Sequence, residues 1–576
     1  MKSPSQTNSR KHLQQVIDAE IKSLQESLLA LSLRRNALSP ISSLPPEIFE
    51  AIFTFLCLPA LEGEKSDHHQ ARLLVSHVCH QWREIALNEP FLWSNVHFNT
   101  PGSLDGATEI LARAKSVPLH LKVKIPGRRR WNDVRFSAFQ KELQARLPNV
   151  CHLTINAQLV RLHETFGGLI SPAPTLEYLS LFCRGGPSYE NTETEGHLFV
   201  PNTLFNGSAP RLSCLKLINC KISWKSPLMQ GRLVHLEIRS PIARPKLETW
   251  LDALNAMTQL KTLVLHSASP IAASQGDVLV EHNVTLPSLT HLNILTSLAN
   301  CALMLAHLDL PALTALSMTA YLRLPDSMNT QALLPHLARH AHGPQDTRPL
   351  QSMLICSDDG CATIFAWTLP DIDAKVQDPP AFLTATLPNP RVALYFESTE
   401  VIVGVGVLDQ TMAALPLSGL VTLVAHGLVE PPYARGLWLD RAPKWPFLRR
   451  AHLAARSQLE FTNMLRNGNN ESSPLLPLLK EISLVGLLPS EWEPALRKRA
   501  EQGVPLERLD LRMGIPCNDT QVPSLSKIVV DTLGPHDAAK MKARINSRWQ
   551  SVVFASFGED FDCEAEFESY TDDGGE

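Results

Sequence analysis

One phrase constrains this chain more than any other feature. Leu-x-x-Leu-x-Leu, or a close variant, first appears near residue 147 and keeps returning. It reads VCHLTI, LEYLSL, LSCLKL, LVHLEI, LKTLVL, LTHLNI and LTALSM, and later LQSMLI, LRRAHL, LKEISL and LERLDL. The middle apolar residues of the first seven copies are Leu153, Leu179, Leu215, Leu236, Leu263, Leu292 and Leu316, separated by 26, 36, 21, 27, 29 and 24 residues. Alternate side chains of a strand face the same way, so each copy turns two apolar residues to one side. One such unit cannot bury that side alone, whereas a stack of units can. A chain of 576 residues is also too long for one compact core.

The spacing is close to the period of leucine-rich repeats, with irregular insertions. Linkers such as PKLETWLDALNAM and MNTQALLPHLARHA read as helices. A strand and a helix per repeat predict an α/β solenoid over residues 99–530, with an indistinct register between about 355 and 445. The residues between the inward leucines face the open side of the strands. They include Tyr178, Lys216, His235, Glu237, Arg239, His266, His291, Arg508, Asp510 and Arg512. Any one of them reads best as a solvated strand residue. As a group they mark where a target protein would lie.

The first hundred residues follow different rules. Ile17, Ile21, Leu24, Leu28 and Leu31 alternate four and three apart, one apolar seam on a helix within residues 1–40. With only about three heptads, the seam is expected to pack on its own protein and not to form a dimer zipper. Pro40 ends that helix, and LPPEIFEAIFTFL follows from Leu44 to Leu56. Prolines suit a helix start, and Glu47 suits its first turn. Ile48, Phe49, Ile52, Phe53, Phe55 and Leu56 then cover most of the circumference. A helix apolar on two edges needs two partners, its own core and something else.

A second block, ARLLVSHVCHQWREIALNEPFLW, runs from Ala71 to Trp93 and places Leu74, Val78, Trp82 and Ile85 as one helical face, broken at Pro90. Leu-Pro-x-Glu-Ile, then Val-Cys-x-x-Trp-Arg, then Pro-x-Leu-Trp, in that order, resembles an F-box over residues 41–98. The insertion PALEGEKSDHHQ between the two blocks departs from the usual short form. The resemblance implies a small all-α domain that binds a Skp-type adaptor and, through it, a cullin ubiquitin ligase. Its implied contact residues are Leu44, Pro45, Glu47, Ile48, Ile52, Val75, Val78, Cys79, Trp82 and Trp93. For Trp82, Ile85 and Phe53 a core role outweighs a contact role, and for Leu44, Pro45 and Ile48 the reverse holds. The stretch LFNGSAPRLSCLKLINCKISWKSPLMQGRLVHLEI, Leu204 to Ile238, resembles fungal F-box proteins with degenerate leucine-rich repeats. The implied fold class is α+β / α/β, an N-terminal helix and an all-α module followed by a solenoid. The implied function is a substrate receptor of a ubiquitin ligase, a non-catalytic adaptor. A leucine-rich interaction protein acting outside a ligase is the alternative.

Other function classes find less support. A net charge of −4 creates no global field for nucleic acid or an anionic membrane, and the one basic cluster, GRRRWNDVR at 127–135, is a weak signal. Apolar runs are shorter than a membrane span, and the first residues lack a signal peptide's apolar core. Eleven cysteines without a C-x-x-C pair read as reduced thiols of a cytosolic or nuclear protein. VGVGVLD at 403–409 begins like a dinucleotide loop but lacks the third glycine. His336, His340 and His342 read as a solvated helix end and not as a metal site, and so do His68 and His69 in the polar insertion. No catalytic residue, cofactor or metal is expected. Residues 531–576 are expected to form a closing helix and then a disordered tail, in which residues 559–576 hold nine acids and no base.

Overall fold

The structure, a computed structural model, describes residues 4–57, 68–98, 103–125, 133–184, 198–229, 232–239, 245–270, 283–322, 330–342, 348–358, 361–370, 389–398, 401–426, 438–454, 457–467, 474–485 and 492–512. Residues 59–67 of the polar insertion, Arg128, Arg129 and Arg130 of the basic cluster, the expected closing helix and the acidic tail lie outside these residues, whereas His68 and His69, expected in the insertion, begin a helix. The chain divides into two compact units, Met1–Asp346 and Thr347–Glu576. That division falls inside the stretch expected as one repeat array.

The first unit opens with helix α1, Pro4–Ala37. Its seam is not covered as the sequence suggested. Ile17 and Ile21 are 47% exposed, and Leu24, Leu28 and Leu31 are 62–67% exposed. A helix of 34 residues is about 50 Å long, which exceeds the small module that follows it. Among the described residues nothing buries its apolar stripe.

That module consists of α2 (Pro46–Cys57), α3 (His68–His77) and α4 (His80–Asn88). The periodicity of Leu74, Val78, Trp82 and Ile85 suggested one continuous helix, and the structure divides it. Cys79 adopts extended backbone (φ −156°, ψ 172°), and its Sγ accepts a hydrogen bond from the Trp82 amide at 3.5 Å. The side chain thereby caps a helix end whose N–H groups lack intrahelical partners. Phe49 and Phe53 of α2 are fully buried, and their rings meet Trp82 of α4 at 5.5 and 5.1 Å.

From β1 (Asn95–Phe98) the chain alternates strands with helices: α5 (Ser103–Ala114), β2 (Leu119–Ile125), α6 (Asp133–Arg146), β3 (Val150–Gln158), α7 (Leu159–Phe166) and β4 (Tyr178–Arg184). Strands β5 (Cys214–Ile218) and β6 (His235–Arg239) are reached through short 3-10 turns. The rest of the unit comprises α8 (Leu247–Asn255), β7 (Thr262–His266), β8 (Val284–Thr285), β9 (His291–Ser297), α9 (Leu298–His307), β10 (Leu308–Asp309), β11 (Ala315–Leu322) and α10 (Leu334–Ala341). β8 and β10 pair only with each other. The other described strands form one sheet in the order β1-β2-β3-β4-β5-β6-β7-β9-β11, every neighbour parallel. The repeated leucines fall in register: Leu153 pairs with Leu179, then Leu215, Leu236, Leu263, Leu292 and Leu316. All seven are at most 1% exposed. Stacking equivalent residues on parallel strands gives each leucine two like neighbours, which is how a short apolar phrase becomes a continuous core.

The second unit is less regular, in line with its indistinct repeats. β12 (Ser352–Asp358) pairs antiparallel with β13 (Cys361–Trp367), which pairs antiparallel with β14 (Val392–Ser398). On its other side β12 runs parallel to β15 (Thr422–His426), followed by β16 (Arg450–Ala454), β17 (Glu481–Val485) and β18 (Arg508–Arg512). Helices α11 (Val401–Ala414), α12 (Ser457–Asn467) and α13 (Trp492–Glu501) connect them. Gly404 and Gly406 lie inside α11 and not in a strand-to-helix turn, which removes the geometry a dinucleotide loop needs. No described helix is long and apolar enough to cross a membrane.

Candidate functional site

Helix α2 shows two apolar edges. Phe49 and Phe53, four residues apart, face inward. Ile48, Ile52, Phe55 and Leu56 occupy a neighbouring stripe and are 46%, 41%, 76% and 48% exposed. Leu74 and Val78 extend the uncovered apolar surface beyond α2. Pro45 and Glu47 are exposed at the start of α2, and Leu44 is half-buried beside them. Burying such side chains against a partner is worth about 25 cal/mol per Å² of apolar surface.

Not every residue expected on this edge is available. Val75 is 6% and Trp93 1% exposed. The Trp93 indole Nε1 donates to the Ala86 carbonyl at 2.7 Å, and the Arg113 guanidinium of α5 lies 4.7 Å over its ring. Trp93 thus ties the module to the first strand–helix pair of the sheet, because its large ring fills the junction. Val75 fills the core under α3. Cys79 caps α4, and Trp82 is half-buried against the two phenylalanines. Periodicity and motif spacing identify apolar helix positions but not which of two apolar edges faces inward. Of the apolar turn Phe91, Leu92 and Trp93 after α4, only Phe91 is exposed, at 56%, and the expected contact set did not include it.

The second surface is the sheet face opposite the leucines. Parallel register turns it into rows. One row runs His120, His152, Tyr178, Cys214, His235, Thr262 and His291. The next contains Lys216 and Glu237, and the third contains Arg239 and His266. At the centre, the Glu237 carboxylate lies 2.6 Å from Arg239 Nε, 3.4 Å from His235 Nε2 and 3.9 Å from Lys216 Nζ. Burial alone would raise the Glu237 carboxyl. The His235 hydrogen bond and the charges of Arg239 and Lys216 outweigh it and hold the group at about 2. Glu237 therefore does not reach into solvent as its strand position suggested. It is 7% exposed and organises the cations around it. Burial, followed by the Arg239 charge, lowers His266 to about 4. Tyr178, Lys216, His235, Arg239 and His266 are partly accessible, and His291 is exposed. Arg508 is exposed on β18 of the second unit, the strand that also carries Asp510 and Arg512.

The helix end that carries His336, His340 and His342 is not solvated throughout as the sequence suggested, because His340 turns inward while His342 stays exposed. His340 is buried with Nε2 3.3 Å from the Leu305 carbonyl, and His342 Nδ1 contacts the Ala338 carbonyl at 2.7 Å. Among the described residues the cysteines are free thiols.

Residues 41–99 match the family model described as F-box-like. No curated protein matches the chain. The module of α2, α3 and α4, with its buried Phe49–Phe53–Trp82 cluster and its uncovered second edge, is an F-box-like domain.

Proposed function

We propose that this chain is a substrate receptor of a Skp–cullin–F-box ubiquitin ligase. In this reading the exposed stripe of α2 docks a Skp-type adaptor, and the adaptor brings a cullin. The row-ordered face of the sheet, read as degenerate leucine-rich repeats, holds a target protein. The chain breaks no bond. It raises the local concentration of a target beside a ubiquitin-conjugating enzyme. The observation that carries the proposal is the pairing of a buried with an uncovered apolar edge on one helix of an F-box-like domain. A free monomer has no reason to leave Ile48, Ile52, Phe55 and Leu56 wet.

Residue roles follow from exposure. Pro45, Glu47, Ile48, Ile52 and Val78 make the contact, with Leu44 at its edge. Val75, Trp82 and Trp93 hold the module in shape, and Cys79 sets the α3–α4 corner. The proposed domain order is a helix (1–40), the F-box-like module (41–98), the repeats (99–530) and a closing segment with the acidic tail (531–576). The action is placed in the cytoplasm or nucleus, where such ligases work.

The test is co-purification of the tagged full chain beside residues 99–576. Recovery of adaptor and cullin with the full chain alone supports the proposal. Adaptor without cullin favours an interaction protein outside a ligase, and neither partner overturns both readings.

A further inference from the structure

One side-chain group on the open face of the first unit has no part in adaptor docking. β2 and β3 pair in parallel, but their register shifts. Leu119 faces Val150, whereas His120 faces His152. Cys151 is the extra residue of this bulge, and a bulge re-aims the side chains around it. A ring nitrogen of His120, a ring nitrogen of His152 and the Cys151 sulfur all lie within 4.8 Å of one another. The imidazoles stack with centroids 4.1 Å apart and 28° between their planes, and His152 stacks in turn on Tyr178 at 5.3 Å. The Cys151 thiol donates to the Leu119 carbonyl at 3.3 Å, which keeps it on this side of the strand pair.

We propose that His120, Cys151 and His152 form a binding site for zinc or a closely similar divalent cation. Two imidazole nitrogens and one thiolate are a borderline-soft donor set, and three protein ligands with a fourth position for water or another side chain suit a tetrahedral ion. Such an ion takes nitrogen at about 2.0–2.1 Å and sulfur at about 2.3 Å, so its donors sit roughly 3–4 Å apart. The donors now lie within 4.8 Å, and the stacked rings turn about their side-chain bonds to bring both nitrogens onto one ion. Adjacent strands fix the Cβ positions, so little order has to be created on binding. Neutral imidazole rings offer the lone pairs that coordinate. A thiol is mostly protonated at neutral pH, and that of Cys151 donates to the Leu119 carbonyl before an ion binds. The step is thus an exchange: the cation forms a bond to sulfur, the S–H bond breaks, and one proton leaves to solvent with no change of oxidation state. Glu177 is exposed on the segment entering β4, where its amide donates to the Cys151 carbonyl at 2.8 Å. Its negative charge acts on both Cys151 and His152 and favours a cation between them.

The competing account is a stacked row of rings with no ligand. Cobalt(II) separates the two, because a tetrahedral cobalt–thiolate site absorbs through sulfur-to-metal charge transfer. The full chain, stripped with chelator and kept reduced, is titrated with cobalt(II) and then with zinc(II). The site predicts one equivalent of the charge-transfer band, its displacement by zinc, and release of one proton per ion at neutral pH. Loss of an outer-sphere partner of a metal ligand typically weakens binding about 10–100-fold, so Cys151→Ser and His152→Gln, each removing a ligand, should weaken it by more than about 100-fold. Cys301→Ala, at a buried thiol on α9, should leave the band intact. Circular dichroism of the variants separates loss of ligand from loss of fold. If Cys151→Ser unfolds the chain, the His152→Gln titration decides. Absence of the band in the wild type, undiminished cobalt affinity in either ligand variant, or binding of copper but not zinc overturns the assignment.

Discussion

Replacing Trp82 by alanine should strongly destabilise the F-box-like module and leave the sheet of the first unit folded. The Trp82 ring lies 5.5 Å from Phe49 and 5.1 Å from Phe53, and both phenylalanines are fully buried. Each aromatic pair is worth about 0.5–1.5 kcal/mol beyond area burial, so the two pairs alone supply about 1–3 kcal/mol. Truncating a fully buried tryptophan costs roughly 3–5 kcal/mol, and Trp82 is only half-buried, so about 3 kcal/mol is the expected loss. A module of this size has a stability of roughly 3–8 kcal/mol, so the loss removes from about a third of it to all of it. Hydrogen exchange on the full chain is the assay, because it reports local opening element by element. Amides of α2 and α4 should exchange about 100-fold faster in Trp82→Ala, since each 1.4 kcal/mol is a factor of ten. Those of β5, β6 and β7 should be unchanged, and Trp82→Phe should restore part of the protection. Unaltered exchange in α2 would refute the assignment of Trp82 to the core.

His340 should weaken the fold in mild acid. Burial holds its folded pKa at about 4, below the ordinary 6.5, so the unfolded chain binds the proton more readily and stability falls as pH drops from about 6.5 towards 4. A melting curve against pH should show this loss, up to about 3 kcal/mol from this group, and His340→Gln should flatten it. Exchanging the charges of the central pair, Glu237→Arg with Arg239→Glu, keeps a pair but inverts its polarity. It should remove some bound targets in pull-downs while adaptor recovery persists, whereas deleting residues 559–576 should leave the target set unchanged. Loss of targets on the deletion but not on the exchange would move recognition to the tail.

The recurrence of the leucine phrase carried much of the fold, because the same packing problem solved many times leaves the same residues in the same order. Leu153, Leu179 and Leu215 could be aligned without coordinates, and they pair in the structure as the spacing implies. Features set by a single backbone event were not legible. Cys79 breaks what reads as one amphipathic helix because a local cap competes with a periodicity that continues across it. The β12–β13 hairpin interrupts the repeats with strands whose apolar alternation resembles that of their parallel neighbours. Residue type and order picked out Ile48 and Ile52, which are exposed, but also Val75 and Trp93, which face inward. His120, Cys151 and His152 gave no motif, since their juxtaposition depends on strand pairing and on a one-residue bulge. The seam of α1 was read as a core face, yet spacing says only that a helix has an apolar stripe and not that its own chain covers it.

The central claim is that the uncovered edge of α2 is the docking surface for a Skp-type adaptor. The direct measurement is the equilibrium affinity of the full chain for a purified adaptor of that class, beside an Ile48→Ala, Ile52→Ala variant. Both side chains are more than 40% exposed, so the variant should melt within a degree or two of the wild type. Losing two centrally desolvated contacts should cost about 2 kcal/mol or more, a fall in affinity of roughly 30-fold. Tight binding by the wild type with that loss in the variant is the predicted result. Equal affinity of the two chains, or no binding by either, would contradict it.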